Sequence, residues 1–249
     1  MDPIIKILKE SINRYTKYSS SESLFDSFLK TCATYTDEPV HSLAELREKR
    51  TTKVKGDIFE NFCVLYLKYI LEFDQVWLLK DVPLEVRELL TLGTKDFGID
   101  LVVKKNNKYS AVQCKFKTPR KDGTVPGAEF IRYNKVNWSE ISTFYALTGR
   151  SGPWYKCIVM TTAKSVAKPP GVSKDSGSDA LDKVFSKDWR ICIGTFQKVS
   201  TLDFIKMYSK GDIVIEKESK TLPKELPKSL HTPEEIRLKR LAYFNEKSK

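Results

Sequence analysis

Histidine is nearly missing from this 249-residue sequence: there are two, His41 and His231, far apart. The five cysteines, Cys32, Cys63, Cys114, Cys157 and Cys192, are odd in number, and no two form a C-x-x-C. A zinc site and a Cys–His nucleophile are therefore not expected. Single cysteines in apolar or strand-like contexts suit reduced core thiols of an intracellular protein, whether nuclear, cytoplasmic or organellar, better than a disulfide framework. No stretch approaches the roughly 20 apolar residues of a membrane span. The apolar run near the start, residues 4–8, is broken by Lys6, and no small-residue cleavage site follows; no signal peptide is expected. The P-loop pattern G-x-x-x-x-G-K-[ST] and internal repeats are absent as well. Catalysis, if there is any, falls to carboxylates, amides and lysines.

What the sequence has in excess is positive charge, 43 Lys plus Arg against 32 Asp plus Glu, a net of +11. A basic chain suits a polyanionic partner, because each phosphate contact releases counterions. The lysines are spread along the whole chain and not gathered on one amphipathic helix, which favours nucleic acid over a membrane surface.

Three segments follow from the patterning. Residues 1–52 read as helical: Ile4, Ile5, Leu8, Ile12 and Tyr15 recur at helical spacing, a serine cluster interrupts, and Leu24, Phe25, Phe28 and Leu29 form a second stripe. Leu43 and Leu46 suggest a third short helix. This segment is expected to be a cap or accessory lobe. Residues 53–210 read as the core. The strongest helix, over residues 55–73, is apolar on more than one face and should lie buried against a sheet. Strands are expected over 76–79, 99–104, 109–117, 155–161 and 190–194, with helices near 83–90, 141–147, 180–185 and 202–208. Residues 211–249 read as a basic linker with Pro223 and Pro227, then a last helix opened by the capping box of Thr232 and Glu235. Strands interleaved with helices imply an α/β sandwich around a mixed sheet.

The chemistry concentrates in the two strands on either side of Asn106 and Asn107, residues that tolerate the positive φ of a tight hairpin. Centring the turn there sets Asp100 opposite Gln113, at about 4.5–5.5 Å between Cβ atoms. Strand alternation then gives Gln113 and Lys115 the same face as Asp100, with Val102 and Ala111. Ile99, Leu101, Val103, Val112, Cys114 and Phe116 make up an apolar opposite face. A carboxylate, an amide and an ammonium gathered at one strand end can hold a hard cation, which prefers oxygen ligands. The ammonium can stabilise developing negative charge. The Cys114 carbonyl could add an oxygen. Gly98, opposite Lys115 in this register, would leave room for an approaching backbone. Glu60, flanked by Phe59 and Phe62 in the strongest helix, needs a partner that coordination would supply. Cross-strand Asp–Lys pairs are also common on exposed sheets, and Glu60 could be a solvated helix-edge carboxylate. Spacing alone leaves both readings open.

The run Lys95-Asp96-Phe97-Gly98-Ile99-Asp100-Leu101-Val102 followed by Ala111-Val112-Gln113-Cys114-Lys115 resembles the Mrr-like branch of the PD-(D/E)xK nucleases. Gly56-Asp57-Ile58-Phe59-Glu60 is similar to that family's upstream helix motif. Met160-Thr161-Thr162 resembles its next strand. The likeness covers about residues 53–208. It implies a restriction-endonuclease-like α/β/α sandwich with a central mixed sheet and, here, an added helical N-terminal segment. It implies Mg²⁺-dependent cleavage of DNA, with Mn²⁺ able to substitute, and a double-stranded substrate. Asp100 would be the principal metal ligand, Gln113 would fill the position that is acidic in most of the superfamily, Lys115 would be the catalytic lysine, and Glu60 a direct or indirect ligand. Lys95 stands where the family has glycine. Many related nucleases pair up to cut both strands, so a homodimer fits. Lys117, Arg120, Lys121, Arg132 and Lys135, interleaved with Tyr133 and Trp138, start at the site edge and are the candidate DNA contacts. The alternative is a catalytically weak DNA-binding module working with a helicase or a larger complex.

Overall fold

The structure is a computed structural model, and it describes residues 3–18, 23–35, 52–93, 98–117, 135–168 and 183–218. The expected helices near Leu43 and Thr232 lie outside the described residues, as do 180–182, while 183–185 are helical as expected.

Two helices open the chain, α1 (Pro3–Tyr18) and α2 (Leu24–Thr34). The start of α2 is fixed by a capping box in which the Ser23 hydroxyl accepts from the Asp26 amide and the Asp26 carboxylate accepts from the Ser23 amide. The long helix α3 (Thr52–Tyr69) follows, then β1 (Gln75–Leu78) and, after a single 3₁₀ turn, α4 (Leu84–Leu90), entered through Pro83. The hairpin is β2 (Leu101–Lys105) and β3 (Lys108–Lys115). Asn106 and Asn107 both take positive φ, 49° and 61°, as a two-residue turn of matching twist demands. Then come α5 (Trp138–Arg150), β4 (Lys156–Thr161), β5 (Arg190–Ile191), α6 (Ile193–Phe196) and α7 (Thr201–Glu218).

The five strands form one sheet in sequence order. Strands β1, β2 and β3 are antiparallel, while β3–β4 and β4–β5 are parallel. This is the mixed sheet expected of a restriction-endonuclease-like sandwich. Each face carries its own apolar cluster. One holds Leu101, Val103, Val112, Cys114, Ile158 and Met160 under α3 and α7. The other holds Val102, Ala111 and Val159 under Ile141 and Phe144 of α5. The central strands are therefore buried on both sides, which accounts for the near-continuous apolar run of β4.

Three features depart from the sequence reading. Of the two expectations for the first helices, a cap or an accessory lobe, their packing fits a cap built into the core and not a separate lobe. Ile4, Leu8, Phe25 and Phe28 lie in one core with α3, the sheet and α7. The rings of Phe28 and Phe62 sit 4.5 Å apart, and those of Phe25 and Phe196 4.7 Å. Second, the strand expected through 194 ends at Ile191, and Ile193–Phe196 turns helical so that Ile193 and Phe196 both reach that core. Third, α7 continues to Glu218, past residue 211 where a linker was expected to begin.

Candidate active site

The hairpin register is the one that the paired asparagines imply, with Leu101 opposite Val112 and Val102 opposite Ala111. It breaks one residue later. The Asp100 amide donates to the Val112 carbonyl at 2.9 Å, so Asp100 and Leu101 both face Val112. On its other side the Asp100 carbonyl accepts from Leu79 of the β1 end at 2.9 Å. Two residues opposite one constitute a β-bulge, a device that re-aims a side chain. Its effect is visible on both neighbours. Ile99, expected to share a face with Leu101, packs in the α5 cluster instead. Asp100 turns from the Gln113 position into a cavity that it lines together with Glu60, Asp57 and Asn61 of α3. Lys53, Lys80 and Arg87 also line this cavity, which measures about 450 Å³.

The carboxylate of Asp100 is held from the far strand: the Cys114 amide donates to Oδ2 at 2.5 Å. The Lys115 carbonyl, next along β3, accepts from Thr162 of the opposite neighbour. Because backbone groups alternate along a strand, the Cys114 carbonyl points toward the Asp100 side, as a backbone ligand would have to. Burial first, then the hydrogen bond with the Cys63 thiol and the Cys63, Asp100 and Glu60 charges, push the Cys114 thiol well above its ordinary value. Those charges report that both carboxylates sit near one stretch of β3. All five cysteines are free, and four are buried.

Gln113 and Lys115 occupy the alternate positions of β3, and neither is among the residues lining the Asp100–Glu60 cavity. Gln113 is 1% exposed, and its Oε1 has no hydrogen-bond partner among the described residues. A buried amide oxygen without a donor is costly and is the kind of atom a cation or an ordered water satisfies. Lys115 is half-buried, and its charge acts on Glu140 of α5. The Lys115 carbonyl is pinned twice, by the Thr161 hydroxyl at 2.8 Å and the Thr162 amide at 3.3 Å. The bulge thus separates the acid from the amide and ammonium in facing direction while keeping all three at one end of the hairpin.

Among the candidate DNA contacts, the Lys117 ammonium is taken up by an ion pair with Glu140, and its amide donates to the Thr162 hydroxyl at 2.6 Å. Burial pushes the Glu140 carboxyl up, but hydrogen bonds from Lys117 and the Asn137 amide, with the Lys117 and Lys115 charges, outweigh it and hold the carboxyl below its ordinary value. With the folded value lowered, this tie stabilises the fold above the ordinary carboxylate range and is lost as pH falls through the lowered value. Lys135 is exposed. Arg120, Lys121 and Arg132 lie outside the described residues.

Sequence reasoning missed Arg87. Its guanidinium donates to three carbonyls, Val82 at 3.1 Å, Gly93 at 3.0 Å, and Leu79. Leu79 is the residue whose amide holds Asp100, so Arg87 braces the bulge from behind. No local pattern announces this. Asp57 was not singled out either, although it stands three residues before Glu60 and four before Asn61, the spacings that make helical side chains neighbours.

For a divalent cation, the donors at hand are the Asp100 and Glu60 carboxylates and the Cys114 carbonyl; the Gln113 oxygen, expected from the sequence to join them, does not line this cavity. This all-oxygen set suits a hard ion. Among the described residues there is no cluster of three or more His, Cys, Asp or Glu side chains able to hold a metal, so the fit relies on a backbone oxygen beside two acids.

A five-stranded mixed sheet with helices on its faces is consistent with a restriction-endonuclease-like fold. Residues 67–170 match the family model of the Mrr type described as restriction endonuclease. The match takes in Asp100, Gln113 and Lys115, begins after Glu60, and supports a nuclease. No curated protein and no solved structure matches the chain. Among the described residues no helix is long and apolar enough to cross a membrane.

Proposed function

We propose that the chain is a Mg²⁺-dependent endonuclease that hydrolyses phosphodiester bonds of double-stranded DNA. The observation that carries this reading is the bulge at Asp100, which aims its carboxylate into the cavity of Glu60 inside a restriction-endonuclease-like segment. Asp100 and Glu60 would hold the ion, with the Cys114 carbonyl as a neutral donor. Mg²⁺ there supplies water activation and neutralises charge on the phosphate.

The protein's own share is positioning and charge. The Cys114 amide and the Leu79 and Val112 backbone groups lock Asp100 in place. Lys115, its backbone pinned by Thr161 and Thr162, offers an ammonium to the charge that develops as the bond breaks. Lys53, Lys80 and Arg87 give the cavity wall a positive lining against the acids, which suits a phosphate entering beside the carboxylates. One such centre cuts one strand, so cutting a duplex calls for two copies acting together.

The test is plasmid nicking. Supercoiled DNA incubated with the protein should be relaxed in Mg²⁺ or Mn²⁺ and left intact in EDTA. Binding measured in EDTA should weaken with salt, at a log–log slope of about −0.9 per phosphate contacted. A gel shift with no cutting under either metal would overturn the enzyme and support a DNA-binding module. A flat salt response would remove the basic-surface argument.

A further inference from the structure

At the opposite end of the hairpin from Asp100, around the Asn106–Asn107 turn, lies a second cavity of about 390 Å³. It is lined by Phe73, Tyr155, Lys105, Lys108, Lys156 and Asp188, over a floor that includes Ile158 and Ile191. Three ammoniums face one carboxylate. Each of the three lies over an aromatic ring: Lys108 at 4.7 Å from the Tyr155 centroid, Lys156 at 4.8 Å from that of Trp189, and Lys105 at 5.6 Å from that of Phe73. Among the described residues no carboxylate is paired with any of them. Tyr155 is 44% exposed, which leaves its ring accessible to a ligand in this cavity.

Aromatic faces and unpaired ammoniums around one concavity recognise a ligand that is both planar and anionic. We infer that this cavity binds a nucleotide unit of single-stranded nucleic acid, with the base on Tyr155 and the phosphate on Lys108 and Lys156. A base stacks on any exposed π-face, and lysines beside it follow the backbone. Asp188 can accept from a base amine or a sugar hydroxyl. Lys105 is the least available cation, because its ammonium also donates to the Leu71 carbonyl at 2.7 Å. From Lys108 to Lys115 the strand runs about 23 Å at roughly 3.3 Å per residue, so one nucleotide cannot reach both ends of β3. The cavity is a separate site that would hold a frayed or unpaired stretch while the other end engages the duplex. Its place beside a cleavage centre rests on the nuclease reading, but binding itself does not.

The experiment uses the full chain in EDTA, so that no cleavage is required and loss of nuclease activity cannot mimic failure. A short fluorescein-labelled oligothymidine is titrated and followed by anisotropy. Tyr155→Ala should weaken binding about tenfold, while Tyr155→Phe, which keeps the ring, should bind as the parent does. Lys108→Ala with Lys156→Ala should reduce the magnitude of the salt slope by about 0.7, the value for the one single-strand phosphate the two share. Competition by unlabelled deoxythymidine monophosphate at similar concentration would assign the site to free nucleotides, and competition by oligomer alone would assign it to strands. Circular dichroism confirms that the variants are folded. Parental affinity and salt slope in both the Tyr155→Ala and the double-lysine proteins would overturn the proposal.

Discussion

Asp100→Asn should lower plasmid nicking by more than about a hundredfold, since exchange of even an outer-shell partner of a metal ligand commonly costs 10–100-fold. The fold should survive. The Cys114 amide donates to a side-chain oxygen of Asp100, and asparagine keeps one such oxygen. The backbone bonds to Leu79 and Val112 do not involve the side chain. What changes is a unit of negative charge beside Glu60. Nicking gels read the activity, and thermal melts followed by circular dichroism read the fold. A variant that nicks like the parent would move the centre away from this cavity. One that unfolds would make Asp100 a structural bulge residue. Glu60→Gln should show a smaller loss of about tenfold, the lower end of the same range.

Gly98→Ala should destabilise the protein by about 3 kcal/mol, whereas Gly56→Ala should stabilise it by up to about 1 kcal/mol. Gly98 has φ +112°, a region L residues rarely enter, and an added Cβ would lie 2.9 Å from Thr143 Oγ1 and 3.0 Å from the Phe144 amide nitrogen. Strain and crowding against the α5 backbone act together. Gly56 lies within α3 with nothing within 4 Å of such a Cβ, so alanine there gains helix propensity. In a chain of this length the Gly98 change corresponds to a melting shift of about 10 °C downward. Equal melting temperatures for the two variants would contradict the packing described. The sequence reading gave Gly98 a different reason, space for a nucleic-acid backbone opposite Lys115. The structure fills that space with α5.

This glycine illustrates what could be read in advance. The hairpin was legible because two asparagines with positive φ fix a turn, and a turn fixes every pair beyond it until something intervenes. The apolar face of Leu101, Val103, Val112 and Cys114 followed from period-two alternation alone. The bulge was not legible. An extra residue in a strand leaves no compositional trace, and alternation carried through it assigns Ile99 and Asp100 to the wrong faces. Glu60 was expected near Asp100 through family resemblance, and its physical route there, a re-aimed aspartate, emerges only from the backbone hydrogen bonds. Arg87 and the threonine pair Thr161–Thr162 act through main-chain carbonyls, which any sequence supplies at every position. The helix at Ile193 was misread because Arg190-Ile191-Cys192-Ile193 alternates like a strand, while tertiary packing pulls Ile193 and Phe196 into the aromatic core.

The shared interior of α1, α2, α3 and α7 has a bearing on how the domain can be handled. An excised fragment limited to residues 67–170, the stretch that matches the family model, would keep the hairpin and β4 yet shed the helices roofing one side of the sheet. Leu101, Val103, Val112, Ile158 and Met160 would then stand in water as one greasy wall. Such a truncation would sooner stick to itself than cut anything. The first two helices and α7, distant in sequence, thus close a single interior over the sheet.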